Sequence, residues 1–263
     1  MLRLKYAARS DVGMIRSGNE DSFETNVNAN RGVFVVADGM GGHAAGEVAS
    51  LMAVQSVISE LSDLREIDES GSAGNKLAES LRTANRNIHD RMLAEADKQG
   101  MGTTASVLVL DQKRYLIGQV GDSRIYLLRD GALQQITKDH SYVQEQVDAG
   151  YLTPEQARYH PYSNVITRCV GASPEVEPDL YSGEARTGDI FLVASDGLTG
   201  MVDDRRLAQL LMSRAEPMRK VESLISEANG RGGLDNITAI VVHVEETGSS
   251  PDRTTGEMQA VDE

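Results

Sequence analysis

The sequence predicts an α+β fold, a largely antiparallel sheet with helices on its outside. Three observations carry this. Short apolar or alternating runs bounded by Gly, Asp and Asn read as strands, and longer runs with a 3.6-residue apolar period read as helices. The strands arrive in hairpin-like groups with helices between the groups, which disfavours strict βαβ alternation. In order, residues 6–12, 23–28 and 33–37 read as strands, the last (VFVVA) apolar throughout and therefore buried. Helical patterns follow over 44–62 and 73–96. Strand patterns at 104–110, 115–120 and 124–129 continue to Ile136 as a meander, with Gly121-Asp122 and Asp130-Gly131 as its hairpin signals. Residues 141–149 read as a helix and Thr153-Pro154 opens another. The stretch 142–172, closing on RYHPYSNVITRCVGA, has the mixed polarity of an irregular surface flap packed beside a site. A strand at 190–194, helices at 204–213 and 218–228, and a strand at 237–244 complete the chain. No internal repeat is present.

At 263 residues with no Pro/Gly/Ser-rich linker, one domain with a sizeable core is expected over 1–246. The remainder, 247–263, is polar, acidic and poor in large apolar residues, and is expected to be a disordered tail because it cannot offset its own ordering entropy. The net charge of -14, from 26 basic and 40 acidic side chains, leaves no basic footprint for a nucleic acid or an anionic membrane. The N-terminal MLRLKYAARSDVG lacks the apolar core of a signal peptide, and no run approaches membrane-span length, so a cytoplasmic protein is expected. The single cysteine, Cys169, cannot form an internal disulfide and reads as a buried or flap thiol.

The chemistry-bearing feature is a set of acidic doublets at the ends of apolar runs: Asp38-Gly39 after VFVVA, Asp196-Gly197 after IFLVAS, and Asp235-Asn236 before ITAIVVHV. If the third strand runs antiparallel to the other two, these ends meet on one sheet edge. Close carboxylates repel by roughly 4 kcal/mol per pair at 4 Å and an effective dielectric of 20. Protons or cations must neutralise such a cluster, and hard divalent metals prefer oxygen ligands. The segment RSGNEDS adds Arg16, a rigid fork for phosphate oxygens, with Glu20 and Asp21 able to hold metal-bound waters; a charged turn is the plainer reading. Asp122 sits at the expected hairpin tip, where an Asx turn explains it equally well.

Several of these residues admit a rival reading. Gly39-Met40-Gly41-Gly42-His43-Ala44 has the glycine spacing of a dinucleotide fingerprint, yet Asp38 would face the pyrophosphate, and Glu60 lies inside a helical pattern rather than at a strand end. Asp139-His140-Ser141 resembles a helix start, so capping is expected of it rather than chemistry. His89 and His243 read as structural or exposed, and Asp63, Asp68, Asp97 and Asp204 as solvated.

Taken in order, RSGNEDS, VADGMGGH, GTTA, VGDSR, TKDHS, SDGL and DNIT closely resemble the metal-dependent protein phosphatases, the type 2C Ser/Thr family, and DGMGGH resembles the bacterial branch. The resemblance spans about Tyr6 to Val244. It implies two packed, mainly antiparallel sheets flanked by helices, an α-β-β-α sandwich. It also implies two Mn²⁺ or Mg²⁺ ions held by Asp38 as bridge, the Gly39 carbonyl, Asp196 and Asp235. Glu20 and Asp21 would tether metal-bound waters, Asn236 would support Asp235, and Arg16 would grip the substrate phosphate. Asp122, with Asp196, would hold a weaker third metal. The implied reaction is in-line attack on phosphoserine or phosphothreonine by a metal-bridging hydroxide, with no phosphoenzyme. Many eukaryotic relatives carry a His two residues after the bridging Asp as general acid; Met40 stands there, and a thioether donates no proton. The implied partners are phosphorylated proteins, namely Ser/Thr kinases and their substrates, met by a monomer. A non-catalytic phosphoprotein-binding module would be expected to lack the metal ligands, and Asp38, Asp196 and Asp235 are all present. A phosphatase dedicated to one regulatory protein would be expected to carry extra sensor segments.

Overall fold

The central strands are buried on both faces, which is why their sequences are apolar almost throughout rather than alternating. In the computed structural model, which describes residues 2–28, 31–41, 45–64, 67, 71–111 and 113–246, they belong to two sheets. The first runs β1 (Leu2–Asp11), β11 (Ile237–Glu246), β10 (Ile190–Ala194), β7 (Arg124–Arg129), β8 (Ala132–Gln135). The second runs β2 (Asp21–Asn28), β3 (Arg31–Met40), β5 (Ala105–Asp111), β6 (Arg114–Val120), β9 (Asp179–Glu184), with the short β4 (Gly102–Thr103) added to β3. All pairings are antiparallel.

Period-2 alternation sorts each strand into the layers of a sandwich. On β3, Val33, Val35 and Ala37 face α1 (Ala45–Leu61) and α2 (Ser72–Ala94). Phe34 and Val36 face the opposite way and meet Phe191, Val193, Ile240 and Val242 of the other sheet. Leu192, Ala194, Ala239 and Val241 turn outward to α6 (Asp204–Leu211) and α7 (Pro217–Gly230), with the one-turn α5 (Asp196–Thr199) beside them. Three apolar layers thus separate helix, sheet, sheet and helix, as the resemblance implies.

The expected meander is broken at its centre. β5 and β6 form one hairpin, and β7 and β8 form another at Asp130-Gly131, where both residues adopt positive φ. β6 and β7, however, do not pair. Gly121-Asp122 is the step from one sheet to the other, not a hairpin turn, and it leaves Asp122 at the seam. Likewise β3 and the β10–β11 pair lie in different sheets, so the acidic ends meet across the gap between sheets instead of along one edge. β9 escapes the sequence pattern because it is a sheet-edge strand with no fully buried residue. Within 142–172 the flap contains α3 (Tyr142–Asp148), capped by Ser141, and α4 (Pro154–Arg158), closed by a Thr153/Gln156 capping box. Asp139 does not share the capping: it accepts from Arg124 Nε at 3.0 Å and a terminal guanidinium nitrogen at 2.6 Å. No helix among the described residues is long and apolar enough to cross a membrane. The tail 247–263 and His43 lie outside the described residues.

Candidate metal centre

The alternation that builds the middle core also places the acids. Continuing inward from Phe34 and Val36, the next residue on that face of β3 is Asp38; from Phe191 and Val193 it is Ser195; from Val242 and Ile240 it is Thr238. The inter-sheet layer therefore ends in polar groups rather than in apolar ones. Asp21 opens β2 directly opposite Asp38 in register, and the one-turn α5 presents Asp196 just past Ser195.

Burial, reinforced by the charges of Asp21, Asp196 and Asp122, holds the Asp38 carboxyl well above the usual carboxylate range. Burial raises Asp196 and, strongly, Asp122 as well, each with a further contribution from a neighbouring acid. Asp21 is pushed up to about 7, again chiefly by burial, even though its Oδ2 accepts from Ser195 Oγ and Thr238 Oγ1, both at 2.7 Å. The other oxygens, Asp21 Oδ1 and Asp122 Oδ1, are buried without a hydrogen-bond partner. Buried acceptor oxygens without donors, crowded by like charge, form an environment in which a cation replaces several unfavourable terms at once.

No group of three acid, imidazole or thiol side chains among the described residues is gathered closely enough to hold a metal ion by itself. A hard cation sharing a bridging carboxylate needs only a few protein oxygens and completes its shell with carbonyl and water. The donors here are all oxygen, with no His or Cys among them, which is the donor set of Mg²⁺ or Mn²⁺ rather than Zn²⁺. Gly39 fits the same picture. A Cβ on it would lie 2.1 Å from the Gly46 carbonyl oxygen and 2.6 Å from that of Glu20, so only glycine lets the first turn of α1 press against the end of β3.

The remaining expected residues gather around this core. Asn236, 4% exposed, donates from Nδ2 to the Val12 and Gly18 carbonyls (3.0 and 2.9 Å), and its Oδ1 accepts from the Glu20 N–H at 2.8 Å. It ties the 12–20 loop to the start of β11, and its backbone N–H donates to Asp235 Oδ1 at 2.8 Å. Glu20 lies against the first turn of α1, where a Cβ on Gly46 would sit 2.7 Å from its Oε1, and burial raises its carboxyl. Arg16 reaches Asp235 Oδ2 at 2.7 Å, a pairing that lifts the guanidinium, and its side chain is about half exposed (49%).

A supporting network escaped the sequence reading. Thr104 Oγ1 accepts from the Asp38 N–H (2.9 Å) and bonds Ser123 Oγ (2.8 Å), while Thr103 Oγ1 donates to the Asp38 carbonyl (2.9 Å). His140 is buried and lies behind the site. Its Nδ1 accepts from the Gly121 N–H at 3.0 Å, which leaves the proton on Nε2, 3.2 Å from Asp179 Oδ2, and burial lowers its pKa. It braces the sheet-to-sheet step that carries Asp122. A signal was available: a serine adjoins Asp21, Asp122 and Asp196 in EDS, GDS and SDG.

Residues 15–229 match the family model of protein phosphatase 2C. The serine/threonine protein phosphatase PstP of Mycobacterium tuberculosis is 44% identical over 243 residues, covering 92% of this chain but only 45% of its own length. The chain thus spans less than half of that relative. The protein phosphatase PhpP of Streptococcus pneumoniae is 40% identical over 92% of this chain and 98% of its own length. The crystal structure of the PstP catalytic domain in complex with two manganese ions superposes with a TM-score of 0.82 at 41% identity, covering 94% of this chain and all of that one.

Proposed function

The chain belongs to the protein phosphatase 2C family, and from that premise we propose that it is a Mn²⁺- or Mg²⁺-dependent phosphoprotein phosphatase acting on phosphoserine and phosphothreonine. The observation that carries this is the group of acids at the polar end of the inter-sheet core, Asp38 paired in register with Asp21, with Asp21 Oδ1 and Asp122 Oδ1 buried and without a hydrogen-bond partner. Asp38, Asp196, Asp235 and the Gly39 carbonyl would hold a pair of ions, with Asp122 and Asp196 open to a weaker third. When bound, divalent cations supply a water of lowered pKa and positive charge against the phosphoryl oxygens.

The chain's own residues do the rest. The Arg16 guanidinium, half exposed and carrying N–H groups beyond the one Asp235 takes, orients a phosphate beside the acids. Asp21, held by Ser195 and Thr238 through Oδ2, keeps Oδ1 unbonded and would accept there from a metal-bound water. Asn236 fixes the loop that carries Arg16 and Glu20. Neither Met40 nor His140 is placed to protonate the leaving alkoxide, the first for want of a proton and the second because both ring nitrogens are engaged. The physiological role that follows is dephosphorylation of Ser/Thr kinases and their substrates by a cytoplasmic monomer.

The test is phosphate release from a phosphothreonine peptide and from para-nitrophenyl phosphate after EDTA stripping, with and without added Mn²⁺, alongside Asp38→Asn. Metal-restored turnover that is missing from the variant supports the reading. A protein that binds Mn²⁺ yet turns over neither substrate overturns it in favour of a phosphoprotein-binding module.

A further inference from the structure

Large apolar side chains stand exposed on both sides of the Arg16–Asp235 pair. Ile15, the chain neighbour of Arg16, is 67% exposed, and Met14 before it is 66% exposed; Leu234, the chain neighbour of Asp235, is 57% exposed. Single exposed hydrophobics are ordinary on protein surfaces, and others here, such as Leu51, Leu93 and Met212, are scattered. These three sit together on two loops that lock to each other.

The interlock is specific. The Met14 N–H donates to the Gly233 carbonyl at 2.8 Å, and Asn229 Nδ2 donates to Asp11 Oδ1 at 3.1 Å. Asn236 holds the Val12 and Gly18 carbonyls from below. Gly13, at φ +77°, approaches so closely that a Cβ there would lie 2.2 Å from the Asp235 carbonyl oxygen. Loops fastened this firmly present their side chains in fixed positions, and pre-organisation of that kind favours binding over mere tolerance of exposure.

We propose that Met14, Ile15 and Leu234 form an apolar lip that receives an apolar side chain of the substrate within one or two residues of the phosphorylated Ser or Thr. The inference rests on the phosphatase reading for the identity of the substrate. Its geometry is that of continuity: consecutive Cα atoms are about 3.8 Å apart, so a phosphate on Arg16 brings the flanking residues of an extended peptide over the adjoining side chains of Ile15 and Leu234.

The experiment compares full-length wild type with Met14→Ser/Ile15→Ser/Leu234→Ser and with Leu234→Ser alone. The substrates are phosphothreonine peptides carrying Leu or Ser at the flanking positions, with para-nitrophenyl phosphate as the lip-independent substrate. Burying one aliphatic side chain in a partly open site gives about a tenfold preference. The wild type is therefore expected to favour the Leu peptide about tenfold in kcat/KM, mostly through KM. The triple variant should lose that preference and keep its turnover of para-nitrophenyl phosphate. Equal kcat/KM for the two peptides in the wild type overturns the proposal.

Anisotropy of the same peptides, fluorescein-labelled, separates failure of the lip from failure of the phosphatase reading. Should wild type turn over no substrate at all, a Leu preference in binding that the triple variant loses still supports the lip, and equal binding of the two peptides still overturns it. Sedimentation velocity provides the remaining outcome. A wild-type dimer that the triple variant abolishes would assign the lip to a second copy of the chain and overturn the proposal.

Discussion

Replacing Asn236 with Ala should damage stability and catalysis together, because one buried amide joins the 12–20 loop to the start of β11. Three hydrogen bonds are lost, to the Val12 and Gly18 carbonyls and from the Glu20 N–H. At a net contribution of about 1 kcal/mol each, that is about 3 kcal/mol. The two carbonyls belong to exposed residues and can find water, whereas the Glu20 N–H lies deeper and retains a desolvation penalty of about 1–3 kcal/mol. A loss of about 4–6 kcal/mol is expected, which a domain in the upper part of the usual range of about 5–15 kcal/mol survives. Urea unfolding in EDTA reads it as a lower midpoint at unchanged m-value. Asn236→Asp keeps the acceptor and the shape but removes both donors and adds a carboxylate to an acidic cluster, so it should be no better than Ala. In the metal-loaded enzyme, the freed loop should raise KM for phosphopeptide, since Arg16 is carried on it. A shift below about 1 kcal/mol with wild-type kinetics would refute the argument that this side chain organises the site.

Arg16→Ala should raise KM for every phosphorylated substrate while changing Mn²⁺ affinity less than about fivefold, since a half-exposed ion pair contributes only about 0–1 kcal/mol; calorimetric titration of Mn²⁺ checks the second half, and a large loss of affinity would make Arg16 part of the metal site. Asp122→Ala should lower turnover on phosphopeptides at limiting Mn²⁺ and leave two-ion binding in place; wild-type turnover across the Mn²⁺ range removes the third ion. His243 on β11 is pushed down to about 4 by burial and then by Lys220. Its folded pKa lies below the unfolded value near 6.5, so the unfolded chain binds the proton first as pH falls. The neutral ring's contribution is therefore present above about pH 6.5 and is lost progressively toward pH 4. His243→Gln should flatten the decline of the urea midpoint across that window, and parallel slopes for variant and wild type would show that the ring does not titrate in this way.

Much of the fold is legible because burial on both faces writes itself as unbroken apolar sequence: VFVVA, IFLVA and ITAIVVHV are strands where the pattern puts them. The division into two sheets is not legible in those runs, because a strand buried between helix and sheet has the same composition whichever sheet it joins. Gly121-Asp122 illustrates this. A Gly-Asp between two strand patterns signals a hairpin by local chemistry, and local chemistry decides correctly at Asp130-Gly131. At Gly121 tertiary packing overrides it: β6 pairs with β9 and β7 with β10, partners far along the chain. β9 itself was hidden for the opposite reason, since an edge strand with alternating half-exposed residues leaves no apolar run to read.

The acids of the site were legible as motifs, but their reason for meeting was not. A one-edge arrangement would have left them on a solvated rim, where repulsion is weak and water neutralises it. The two-sheet arrangement sets Asp38, Ser195, Thr238 and Asp21 on the inward face of their strands, so the same alternation that packs Phe34 against Val193 delivers carboxylates into a desolvated seam. Desolvation is what raises Asp21, Asp38, Asp122 and Asp196 together. The step at Gly121 then brings a further acid to the seam, braced from behind by His140. Shifting any of these strands by one residue would exchange Asp38 for Ala37 or Gly39 on the inward face and fill the seam with backbone or methyl instead. Register, fixed by the three apolar layers, is therefore what specifies the metal centre, and core substitutions at Phe34 or Val193 are expected to reduce Mn²⁺ affinity without touching a ligand.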